Sequence, residues 1–169
     1  MYRTSLEKEQ IKIKAEIRLV KNFSDIIDSG VLENAYMAYL QCLRTNSRFL
    51  PFILQLVTRE SQRLFSIDDK ECQKWTVQAL HLSQMTNRSD TALSAINQLI
   101  RLSIKRRDWT QANEYVSQLV SLNQPTMENQ WKLEIALKQR FPRVLDKFRE
   151  FFDAAEANAD TLKVYVDIC

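Results

Sequence analysis

A chain of 169 residues with 45% apolar residues, 27% charged residues, one glycine and three prolines suits a single folded domain, and that balance excludes disordered and collagenous classes. Scarcity of the two residues that punctuate sheets and tight turns favours an all-α fold. A formal charge of +3, carried by residues 1–65, is too small to imply nucleic acid by itself, and three widely spaced cysteines without a CxxC argue against a disulfide framework and for a reducing compartment.

The first ten residues, MYRTSLEKEQ, are charged, and no apolar run approaches the roughly 20 residues that span a bilayer, so a soluble, cytoplasmic chain with no membrane partner is expected. Leu6, Ile13, Val20 and Ile27 recur every seven residues with Ile17 between them, which predicts a helix of about 24 residues with one apolar stripe. Arg3, Lys14, Arg18 and Lys21 flank that stripe; Arg3 to Glu7 and Lys21 to Asp25 are spaced to pair at i,i+4, so the flank reads as solvated, with a binding surface as the alternative. Ser29-Gly30 breaks the pattern, and a second helix follows through Leu32, Ala35, Tyr36, Tyr39, Leu40 and Leu43.

After Thr45-Asn46-Ser47 a third helix, with Pro51 in its first turn, carries Phe49, Phe52, Ile53, Leu56, Val57 and Leu64. Ser66 or Asp68 can cap a fourth, with Cys72, Trp75, Ala79, Leu82 and Met85. The fifth takes Ala92, Ala95, Ile96, Leu99, Ile100 and Leu102; the sixth has Asp108 as its N-cap, carries Trp109, Ala112, Val116 and Leu119, and stops at Asn123-Gln124-Pro125. A seventh is predicted from about Thr126 to Gln139 and an eighth from about Pro142 to Ala157. Short connections make successive helices antiparallel, so residues 1–160 read as one domain of four hairpins of roughly forty residues, stacked as a short α-solenoid or gathered in a compact bundle. In the tail, 161–169, Leu162, Val164, Val166 and Ile168 alternate with polar residues, which favours a short C-terminal strand open to pairing with a second copy or a partner; a final helix using Leu162, Tyr165 and Cys169 is the alternative.

Two hairpins share one spacing. Gly30, Leu32, Ala35, Tyr39 and Cys42 fall at the same offsets as Arg107, Trp109, Ala112, Val116 and Leu119, and the two alanines are 77 residues apart. Together with Pro125, this spacing resembles the tetratricopeptide repeat, in which glycine marks the turn, an aromatic and an alanine follow, and a proline closes the unit; Arg107 stands at the turn glycine and Leu119 at the second small position. The resemblance covers about half of the chain and implies stacked helical hairpins with a concave, peptide-binding face. On such a face Asn97, Arg101 and Lys105 would form one row at i, i+4 and i+8, facing an acidic or extended peptide; basic residues also suit the C-terminal end of the fifth helix, where the dipole is negative.

Catalytic chemistry has little to draw on. His81 is the sole histidine and reads as a partly buried helical residue, and the sole glycine, Gly30, cannot build a phosphate-cradling loop. Asp68, Asp69 and Glu71 crowd a helix N-terminus, where the dipole accounts for them. No enzyme activity, cofactor, metal or small-molecule substrate is therefore expected. The favoured reading is a protein–protein interaction scaffold or adaptor, with Asn97, Arg101, Lys105, Val164 and Val166 as partner-binding residues. Its rival is a nucleic-acid-associated subunit using Lys12, Lys14, Arg18, Lys21, Arg44 and Arg48, or Lys138, Arg140, Arg143, Lys147 and Arg149.

Overall fold

The computed structural model describes residues 2–45 and 48–140, and every regular element among them is an α-helix. The helices are α1 (Tyr2–Ser29), α2 (Leu32–Arg44), α3 (Leu50–Leu64), α4 (Asp69–Met85), α5 (Ser89–Lys105), α6 (Trp109–Ser121) and α7 (Pro125–Arg140). The all-α class expected from composition is the observed one. Within it α1 packs on α2, α3 on α4 and α6 on α7, as hairpins with short connections. The expected eighth helix and the tail with Val164 and Val166 lie outside the described residues. By packing, the described residues fall into two units, with the boundary between Leu102 and Ser103, inside α5.

Local sequence accounts for the helix ends. Asp68 caps α4 by accepting the N–H groups of Lys70 and Glu71 at 2.9 and 3.0 Å, and Asp108 caps α6 by accepting that of Gln111 at 3.0 Å. Pro51 sits in the first turn of α3, where its missing N–H is no loss. Pro125, which the spacing places in the stop of the sixth helix, is instead the first residue of α7. Leu122 to Gln124 make the stop.

Three successive turns have the same construction. Asn87, Arg107 and Asn123 all have left-handed backbone, with φ of 53°, 60° and 53°. In each, the residue itself bonds back to a carbonyl three before it (Gln84, Ile104, Val120). The residue after it bonds to a carbonyl five before (Ser83, Ser103, Leu119), which is the Schellman arrangement that satisfies orphan helix carbonyls. Gly30, with φ 76°, ends α1 in the same backbone region. Five residues past Gly30, Asn87 and Arg107 stand Ala35, Ala92 and Ala112, each buried, followed inward by Tyr39 and Cys42, Ile96 and Leu99, and Val116 and Leu119. Small side chains at that point let the incoming helix approach closely. The register therefore recurs at the α4–α5 connection as well as at the two noted in the sequence.

In the first unit, α1, α2 and α4 meet around an aromatic cluster. Trp75 has its ring centroid 6.2 Å from Phe23, 5.9 Å from Tyr36 and 5.8 Å from Tyr39, and Phe23 and Tyr39 lie 6.0 Å apart. Offset and edge-on pairs of this kind add to the burial of three large rings that are fully enclosed. Burial raises the Tyr39 hydroxyl above its ordinary pKa, with Tyr36 adding to the effect, and the hydroxyl donates to Gln78 Oε1 at 3.0 Å. The heptad stripe of α1 is used only in part. Val20, Phe23 and Ile27 are buried, whereas Leu6 is 60% exposed. Length explains this: at 1.5 Å per residue α1 runs to about 42 Å and α2 to only about 20 Å, so its hairpin partner reaches about half of it.

Candidate functional site

Within the first unit, two hollows lie between α3 and the part of α5 that precedes Ser103, and together they form a groove. One, of about 530 Å³, is lined by Gln62 and Phe65 from the end of α3 and by Asp90, Leu93, Ser94, Asn97, Gln98 and Arg101 from α5. The other, of about 290 Å³, is lined by Pro51, Leu54, Gln55, Thr58, Arg59 and Gln62 from α3, with Arg88 and Thr91. Gln62 lines both hollows, which places them on either side of one α3 residue.

The groove follows from how the two helices bury their other faces. On α3 the apolar face Ile53, Leu56, Val57 and Leu64 is buried, which leaves Pro51, Gln55, Arg59 and Gln62 on the opposite side at helical spacing. On α5, Ala92, Ile96, Leu99 and Ile100 go to the core, and Ser94, Asn97 and Arg101 face away. The result is a trough of mixed lining, in which apolar surface, including that of Leu54, Phe65 and Leu93, stands beside polar and charged groups.

Its walls are joined by a polar contact at the end of α3. An α-helix leaves its last carbonyls without partners. Here the Phe65 N–H turns to Gln62 O at 3.3 Å, and Ser61 O is satisfied from other helices: the Cys72 thiol of α4 donates to it at 3.2 Å and Gln98 Nε2 of α5 at 2.9 Å. Gln98 Nε2 also lies 3.1 Å from Cys72 Sγ, which accepts from it. One carboxamide thus fastens α3, α4 and α5 together and fixes its own position in the groove wall.

Charge in the lining is three arginines against one aspartate. Arg59 pairs with Asp28 of α1 at 2.6 Å, with both side chains more than half exposed, so this contact orients rather than stabilises. Behind the groove face, Glu60 is 1% exposed and accepts from Nε and Nη2 of Arg63 at 2.9 and 2.6 Å. That hydrogen-bonded carboxylate raises the pKa of the Arg63 guanidinium.

The residues proposed from sequence fare differently. Asn97 and Arg101 line the groove. Lys105 is exposed at the C-terminal end of α5, in the second unit, and does not belong to the lining. Val164 and Val166 lie outside the described residues. Sequence reading missed Gln62, Phe65, Arg88 and Gln98. For Gln62 a signal existed, since Gln55 and Gln62 repeat at i,i+7 on the polar side of a strongly amphipathic helix. Of the basic runs, Lys12, Lys14, Arg18 and Lys21 are exposed on α1, and Arg48 bonds Glu9 at 2.9 Å. Arg143, Lys147 and Arg149 fall outside the described residues.

His81, Cys42 and Cys72 are not part of the groove lining. His81 is exposed on α4 rather than partly buried, and among the described residues no group of His, Cys, Asp and Glu has the arrangement of a metal site. Cys42 is buried in α2, and burial pushes its thiol up to about 11, which keeps it protonated and unreactive at neutral pH. No helix among the described residues is long and apolar enough to cross a membrane. The chain matches no protein-family model, and neither a curated protein nor a solved structure gives a significant match to it.

Proposed function

We propose that this chain is a non-catalytic scaffold of tetratricopeptide-like helical hairpins that holds a segment of another protein in the α3–α5 groove. The observation that carries this reading is the groove itself, of mixed polar and apolar lining with three arginines against one aspartate, whose lining includes Asn97 and Arg101. An acidic or extended peptide segment fits such a lining, because arginine recognises carboxylates through a planar fork of donors. A cytoplasmic setting belongs to the same reading and is supported by the buried free thiols of Cys42 and Cys72.

The test compares partner retention from nuclease-treated native extract by the wild type, by an Asn97→Ala, Arg101→Glu variant, and by a Lys12→Glu, Lys14→Glu variant of matched stability. Loss in the groove variant alone supports the reading. If the α1 variant loses the partner and the groove variant retains it, the groove is the wrong surface. Should binding vanish with nuclease and fall steeply with salt, phosphate contacts dominate and the nucleic-acid reading replaces this one.

A further inference from the structure

A carboxamide has the same donor and acceptor pair as a peptide group, so it can bind main chain without regard to the side chains that the main chain carries. Two carboxamides of the groove differ in what the fold leaves free. Both bonds made by Gln98 use its nitrogen, to Ser61 O at 2.9 Å and Cys72 Sγ at 3.1 Å. Its Oε1 has no partner among the described residues, and the residue is half-buried in the groove wall. This oxygen is a held acceptor, whose side-chain entropy was lost on folding rather than on binding. Gln62 is exposed, lines both hollows and keeps both donor and acceptor.

We propose that Gln98 is a fixed acceptor for a main-chain N–H of the bound segment, and that Gln62 pairs with the same main chain, so the groove takes an extended acidic segment largely by its backbone. This rests on the protein-binding reading above. Extended conformation follows because a helical segment spends its N–H and C=O groups internally and presents none to a carboxamide. Acidic composition follows from the lining: Arg88 is exposed with no ion-pair partner among the described residues, Arg101 stands in the other hollow, and Asp90 is the single opposing charge of the lining. Gln98 is here a specificity-determining residue, and Cys72 and Ser61 are positioning residues that aim it.

The experiment titrates ¹⁵N-labelled full-length protein with three blocked octapeptides: alternating Glu and Ser, the same peptide N-methylated at every second residue, and its Lys-for-Glu copy. Backbone and side-chain NH2 cross-peaks give both site and affinity. The Glu-Ser peptide should shift the groove signals, including the NH2 pairs of Gln62 and Gln98, at peptide concentrations up to about millimolar. N-methylation and the Lys copy should each weaken binding at least tenfold. Gln62→Met should weaken it at least threefold with unchanged thermal stability, which keeps the test valid if Gln98→Met fails to fold. Equal binding of the N-methylated peptide overturns backbone recognition while leaving charge-directed protein binding intact. Shifts confined to other surfaces, or none with any peptide, also overturn it, as does saturation of the groove by an oligouridine in preference to the peptide. A photo-crosslink from Asn97 to a cellular protein then tells whether the broader reading survives.

Discussion

Arg107 occupies a backbone conformation that its side chain disfavours, and replacing it with glycine should make the protein more stable. Its φ is 60°, beside 76° at Gly30, which holds the same place at the end of α1. Left-handed backbone costs a residue with a Cβ about 1–2 kcal/mol, and glycine gives back about 0.5–1 kcal/mol in the unfolded chain, so Arg107→Gly should stabilise by about 0.5–1 kcal/mol. Gly30→Ala is the mirror experiment, because a Cβ built there meets nothing within 4 Å and only the backbone term operates. It should destabilise by about 0.5–1 kcal/mol, so the two changes are similar in size and opposite in sign. In urea the midpoints should move in opposite directions with unchanged slope, and in a thermal scan the shifts should be about 1–4 °C. Arg107→Ala is the control: it removes the charge and keeps the strain, so it should give no stabilisation. A stabilisation by alanine equal to that by glycine would trace the effect to charge and refute the conformational argument. A neutral Arg107→Gly would refute it as well.

Other perturbations probe the packing and the buried charge. Ala112→Leu places extra volume at a fully enclosed helix approach and should cost about 1–3 kcal/mol by urea unfolding, with Ala35→Leu similar. Arg63→Ala leaves the buried Glu60 carboxylate without its partner; because Arg63 is 45% exposed, water can partly replace it, and the loss should be about 1–3 kcal/mol, with Glu60→Gln in the same chain recovering much of it. The Cys42 thiol, raised from an ordinary 9.0 to about 11, is bound to its proton in the folded state over a window where the unfolded chain releases it. Its contribution to stability is complete below pH 9 and is lost as pH rises toward 11, so Cys42→Ala should flatten that part of the pH profile.

The features legible in the amino-acid sequence are those that local spacing controls. The helices of the described residues follow from apolar periodicity, and Asp68, Asp108 and Pro51 mark their starts because capping involves neighbours in sequence. Pro125 is ambiguous on the same grounds, since one residue can follow a stop and begin the next helix; the left-handed Asn123 resolves it. Asn87 and Ala92 repeat the offsets of Gly30 and Ala35, yet asparagine at a turn is too common to stand out. The α1 stripe shows an apolar face but not how far a partner helix reaches along it. His81 lies one position off the buried face of Cys72, Ala79 and Leu82, a difference of about 100° of helix rotation that a single residue does not announce. The groove is half legible: Asn97 and Arg101 share a helix row, whereas Gln62 and Phe65 join them only because the fold sets α3 across the hollow from α5. Lys105 shares the row and not the groove, because the hollow ends before the last turn of α5.

The most direct test of the protein-binding groove puts a photo-crosslinking benzoyl-phenylalanine at Asn97 in one chain and at the exposed Val77 of α4 in another, with irradiation in the native cell and identification of what is attached. One protein should be captured from position 97, through a short acidic segment, and be absent from position 77. Capture of the same protein at both positions, or of nucleic acid at position 97, would contradict a protein-binding groove between α3 and α5.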